Sequence, residues 1–163
     1  MKALLVSAAA IGLLAATPAF ASAGPQSQAQ AGASAEIVAP ISVVSDGTSL
    51  NFGRIAAGNG GTVTVDGAGT LTSSDPNMLI VGSTGSAAGF NVTGGAGLAY
   101  TRTVDATVAV GDMTATLVPY GGAASLSDPG GLDSFKVGGT LTVPAGHAAG
   151  NFSGLFTVKV QYN

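Results

Sequence analysis

Apolar and polar residues alternate in short runs along most of this chain. No segment after the first 21 residues keeps the 3.6-residue spacing of an amphipathic helix. The clearest alternation closes the sequence. Phe156, Val158, Val160 and Tyr162 fall on one side of an extended segment, and Thr157, Lys159, Gln161 and Asn163 on the other. That pattern predicts a strand with one apolar face. A second alternation sets Ala29, Ala31, Ala33, Ala35 and Ile37 against Gln28, Gln30, Gly32, Ser34 and Glu36. Between these ends, strands are predicted over residues 40–44, 49–55, 62–65, 77–81, 89–93, 100–110, 113–118, 135–143 and 154–161, separated by Gly, Asp and Pro clusters. Short strands at this spacing predict an all-β fold: an immunoglobulin-like antiparallel β-sandwich.

One register is legible in advance. Gly111-Asp112 forms a two-residue loop with Gly in its first position, which suits a type II′ turn. Such a loop pairs Val110 with Met113, Val108 with Ala115 and Ala106 with Leu117. All six then fall on one face, while Asp105, Thr107, Thr114 and Thr116 take the other.

Residues 1–21 read as a signal peptide. Lys2 supplies a positive start, Ala3 to Ala16 an apolar run too short to span a bilayer comfortably, and Ala19-Phe20-Ala21 a small-x-small cleavage site. The expected organisation is a leader over 1–21, an N-terminal extension over 22–38 and a β-sandwich domain over 39–163. No later apolar stretch approaches 18 residues, so no membrane insertion of the mature chain is expected. From Ser22 onward, four Lys and Arg face eight Asp and Glu, a net of −4, which offers no footprint for nucleic acid or anionic lipid. The chain has 26 Gly and no Cys, so an exported fold must hold by burial and backbone pairing without a disulfide. With that Gly content the isolated domain is expected to be marginal.

Catalytic chemistry finds little to work with. His147 is the only histidine and sits in a Gly-flanked loop, with no Cys, Glu or second His nearby in sequence. No Gly-x-Ser-x-Gly elbow is present. The stretch from Asp128 to Asp133 matches neither an EF-hand nor a Gly-rich nonapeptide repeat and reads as a turn. Asn91-Val92-Thr93 and Asn151-Phe152-Ser153 fit the glycosylation sequon, which matters only in a host with that machinery. Neither enzymatic activity nor a cofactor or metal is expected.

The two termini carry a resemblance. Gly150 is fourteenth from the end and Tyr162 is penultimate, which resembles the C-terminal signature of chaperone–usher pilus subunits. The alternating segment before Pro40, followed by Ile41-Ser42-Val43-Val44, is similar to the disulfide-free, colonisation-factor-like branch of those fimbrial proteins. The text from Ser49-Leu50-Asn51-Phe52-Gly53 through Gly138-Gly139-Thr140-Leu141-Thr142-Val143 looks like a bacterial secreted family catalogued as domain of unknown function 4402. The fimbrial resemblance implies a sandwich incomplete at one edge. Gly150, Phe156, Val158, Val160 and Tyr162 would form the groove wall and chaperone-contact strand, and Ala29, Ala31, Ala33, Ala35 and Ile37 the inward face of a donor strand. It also implies identical or homologous subunits joined head-to-tail, a periplasmic chaperone, an outer-membrane usher, and passage through the periplasm to the cell surface.

Physical chemistry is consistent with a donor role for residues 28–38. Eleven extended residues reach about 36 Å, and strand addition supplies about ten ladder bonds at ~0.5–1.5 kcal/mol net each. Alanines add little. Ile37 adds about 1.5–3 kcal/mol if fully buried. The expected function is a structural subunit of a surface fibre. The alternative is a complete, monomeric secreted or surface-displayed sandwich whose Gly-rich loops bind a ligand and whose N-terminal segment is a dispensable linker.

Overall fold

The computed structural model describes Gly24, residues 26–80 and residues 82–163. The leader expected over residues 1–21 lies outside the described residues. The chain divides into two units, Met1–Ala35 and Glu36–Asn163. The described residues of the first unit are exposed and have no regular secondary structure. Among the described residues no helix is long and apolar enough to cross a membrane.

The second unit is all-β, with antiparallel strands throughout. Among the described residues nine strands follow in chain order: β1 (Ser42–Ser45), β2 (Gly61–Val65), β3 (Leu71–Ser73), β4 (Ala88–Thr93), β5 (Tyr100–Val104), β6 (Thr107–Val110), β7 (Met113–Tyr120), β8 (Leu132–Val143) and β9 (Val158–Tyr162). Seven of them form one sheet in the order β1-β4-β8-β2-β3, with β7 joining β8 and β6 joining β7. The remaining two, β5 and β9, form a second sheet.

Strand β8 organises the larger sheet. Its first half pairs with β4, Phe90 facing Phe135, and its second half with β2, Val63 facing Leu141. Strand β7 runs along its other edge from Thr114↔Thr142 to Tyr120↔Lys136. The change of partner falls at Gly138-Gly139. A Cβ on Gly138 would collide with the Val65 carbonyl, and one on Gly139 would sit 2.5 Å from the Thr116 carbonyl. Glycine in the middle of this strand therefore lets three backbones approach each other closely.

The inner faces of both sheets share one core. Val63, Val65, Val92, Ala115 and Val137 are fully buried within it, and Phe156, Val158, Val160 and Tyr162 pack against it from the last segment. The β6–β7 hairpin has the expected register, with Val110↔Met113 and Val108↔Ala115 paired and Leu117 N–H donating to the Ala106 carbonyl at 2.9 Å. Gly111, at φ +66°, takes the left-handed position that a type II′ turn requires. Ala106 is exposed, so five of the six expected inward residues face the core.

Several element boundaries differ from expectation, for visible reasons. The run 100–110 is two strands, because the chain changes sheet at Asp105 and Ala106. Asp105 exchanges bonds with Thr157, its N–H donating to the Thr157 carbonyl at 3.1 Å and its carboxylate accepting the Thr157 N–H at 2.7 Å. Ala106 already bonds to β7. Residues 49–55 and 77–80 are not strands; Ile55 and Leu79 form an isolated bridge, and Asn51 bridges to Ser86. Val81 lies outside the described residues. β3 was not expected, and β9 begins at Val158, four residues later than predicted.

Candidate functional site: an apolar groove between two unpaired segments

Two segments of β-type sequence face each other without pairing. Residues 48–57 run along one side and residues 147–156 along the other, and between them lies a groove of about 940 Å³. Core residues form its floor: Ala88, Val108, Met113, Leu141 and Val143 are all buried and all line it. Phe90 closes one end, stacked on Phe135 at 5.4 Å between centroids and edge-on to Phe156 at 6.1 Å. The core thus opens at this side of the sandwich instead of being covered.

The walls carry free backbone edges. On the first wall, Asn51 exchanges both its N–H and C=O with Ser86, at 2.8 and 3.1 Å, and the Ala56 N–H reaches the Met78 carbonyl at 2.8 Å. Those groups point away from the groove. The main-chain groups of Phe52 and Ile55 have no hydrogen-bond partner among the described residues. On the second wall, the N–H groups of residues 151–156 likewise have none, while the Ser153 carbonyl accepts from Gly111 N–H at 3.3 Å on the side of the β6–β7 hairpin. Leu155 on this wall is 98% exposed, an unusual position for a leucine beside an open core.

A polar clasp closes the hairpin end. His147 Nε2 lies 2.8 Å from Asp112 Oδ1, and His147 Nδ1 lies 3.0 Å from the Ala148 carbonyl. Both ring nitrogens face acceptors, so the imidazolium is the form that satisfies both. The hydrogen bond that His147 donates to Asp112, then the one to the Ala148 carbonyl, raises the His147 pKa above its ordinary 6.5. The same bond to His147 holds the Asp112 carboxyl below its ordinary value. Phe152 packs edge-on to His147 at 4.8 Å. This contact spans 35 residues, and neither the loop position of His147 nor that of Asp112 signals it in the sequence.

Of the residues expected to form the groove wall, Gly150 and Phe156 line the groove. Val158, Val160 and Tyr162 lie beyond it, half-buried in the β5–β9 sheet. Ala29, Ala31, Ala33, Ala35 and Ile37 are all exposed and outside any strand, Ile37 at 96%. In the opposite wall, residues 48–57, only an ordinary strand over 49–55 was expected. The Asp133 carboxylate accepts the Tyr100 hydroxyl at 2.8 Å and the Ala123 N–H at 2.9 Å.

Comparison with known proteins places residues 41–162 in a match to the family described as "Domain of unknown function (DUF4402)". No curated protein and no solved structure matches the chain.

Proposed function

The chain belongs to the DUF4402 family, and we propose that it is a structural subunit of a bacterial surface fibre, exported through the periplasm and assembled by donor-strand exchange. One observation carries this reading: an apolar groove bounded on both sides by backbone edges with unused hydrogen-bonding groups. A strand laid there would pair with both walls and cover the core residues of the floor. Each wall is ten residues long, at most about 33 Å, which suits the ~36 Å reach of an eleven-residue extended segment.

Residues 28–38 of a second copy have the matching chemistry. Their inward positions are small except for Ile37, and their only charge is Glu36. The charged groups along the groove are Arg54 and, when protonated, His147. Donation from one copy to the next is head-to-tail and yields open filaments rather than closed rings. A periplasmic chaperone would occupy the same groove before assembly, and an outer-membrane usher would be the site of exchange. The role is one of assembly and adhesion rather than catalysis.

The test is thermal unfolding of residues 39–163 with and without a synthetic peptide of residues 28–38. A saturable rise in melting temperature supports a missing strand supplied by the N-terminal segment. A stable domain indifferent to the peptide would mean a complete sandwich and would favour the monomeric binding module.

A further inference from the structure

Tyr162 lies outside the groove, yet its hydroxyl occupies a built position. The Gly95 N–H donates to it at 2.6 Å, and it donates to the Ala39 carbonyl at 2.7 Å. A Cβ on Gly94 would collide with the same oxygen, so the loop before β5 leaves room for it only because that residue is glycine. Tyr162 is itself fixed by β9, where it pairs with the fully buried Tyr100. Ala39 directly follows the 28–38 segment and precedes Pro40, which holds it in extended backbone. From Ser42 the chain is committed to β1.

We propose that Tyr162 is a positioning residue for donation: its hydroxyl pins the root of the N-terminal arm at Ala39, so that the arm is counted out from a fixed point when it enters a neighbour's groove. This rests on the donor-strand reading above and assigns Tyr162 to the donor side of the interface, not to the groove wall. A released root adds Ala39 and Pro40 to the exposed, unpaired arm. Every further residue ordered on binding raises the conformational cost of donation. The acceptor groove, whose walls end at Ala57 and Phe156, is untouched by the change.

The experiment separates the two sides of the interface. A fluorescent full-length chain carrying Ile37→Asp serves as an acceptor whose own donation is weakened, and its uptake onto growing polymers is timed. With Tyr162→Phe chains as donors, uptake is expected to slow about three- to tenfold, the range of one lost hydrogen bond. In the converse arm the fluorescent acceptor carries both Ile37→Asp and Tyr162→Phe, the donors are unmodified, and the rate is expected to be unchanged. A deficit in the acceptor arm, or an equal deficit in both arms, overturns the assignment. Val160→Ala donors control for loss of stability in the same strand, since they keep the Ala39 bond. If they slow uptake as much as Tyr162→Phe does at matched melting temperature, the hydroxyl has no positioning role. Failure of unmodified donors to take up the acceptor at all would instead refute donor-strand assembly itself, and the positioning role with it.

Discussion

Replacement of Ile37 by Asp is expected to separate folding from the proposed assembly. The Ile37 side chain is 96% exposed, so the substitution removes no buried area from the unassembled chain. Its effect on the melting temperature of the monomer should correspond to less than about 0.5 kcal/mol. Inside a neighbour's groove the same side chain would be buried, and full burial of an isoleucine is worth about 1.5–3 kcal/mol. At about 1.4 kcal/mol per decade, losing that contact weakens donation by roughly ten- to a hundredfold. Desolvating the new carboxylate weakens it further. Coulombic repulsion does not confound the result, because the groove's charged residues are Arg54 and His147 and neither is an acid. Ser34→Asp, at an outward position, introduces the same charge into the same arm and should weaken donation less than threefold, an effect of about 0.5 kcal/mol. Polymer formation followed by size-exclusion chromatography, beside thermal melts of the monomeric fraction, gives both numbers. Equal losses at positions 34 and 37 would refute the donor register. A large fall in monomer melting temperature for Ile37→Asp would refute the premise that this side chain serves only the assembled state.

The same structure makes four other expectations. Gly138→Ala should cost about 1–3 kcal/mol in denaturant unfolding, because its Cβ would strike the Val65 carbonyl where three strands meet; a neutral result would mean β8 can shift to accept it. The Tyr100 phenol is pushed up to about 12 from 10.0, first by burial and then by the Asp133 carboxylate. Its folded value exceeds the unfolded one, so its contribution is full below pH 10 and is lost as pH rises toward 12; Tyr100→Phe should remove that part of the alkaline unfolding profile and cost about 1.5–3 kcal/mol at neutral pH. His147 is raised by Asp112, so the clasp is fully stabilising below pH 6.5 and fades as pH climbs through the higher folded value. The lowered Asp112 adds stability above pH 3.8 that is lost on acidification through its folded value. Melting temperature scanned across both limits should show these two losses in the unmodified chain and a flatter profile for Asp112→Asn. Finally, amide hydrogen exchange at residues 151–156 should be fast in the monomer and slow in the polymer, and protection in the monomer would argue against an open wall.

Local chemistry made some of this fold readable in advance. The Gly111-Asp112 loop and the alternation on either side of it determine each other, so turn type and register follow together. The apolar face of residues 156–162 is where the period placed it, against the core. What escaped was long-range. The break at Asp105 depends on the Asp105 side chain finding the Thr157 N–H, 52 residues away. Strand β3 has only three residues, too few to show a period, and exists because β2 offers it an edge. The His147–Asp112 clasp joins two loops whose sequences say nothing of each other.

The groove illustrates the same limit from the opposite direction. Residues 49–55 and 154–157 have the composition of strands, and on composition alone they were expected to be strands. A strand, however, is defined by its partner as much as by its own period, since the ladder bonds belong to two edges. Val158–Tyr162 finds Tyr100–Val104 and becomes β9. The residues just before it adjoin β6 without forming a ladder, and their other edge faces Phe52 and Ile55 across the groove. On the donor-strand proposal, a third segment placed between these walls would give both of them the partner they lack. The 28–38 segment has the alternation for that place, a single large inward side chain and, among the described residues, no strand partner. Neither wall nor the 28–38 segment forms a strand among the described residues, and on the donor-strand proposal a second copy would bring the three together.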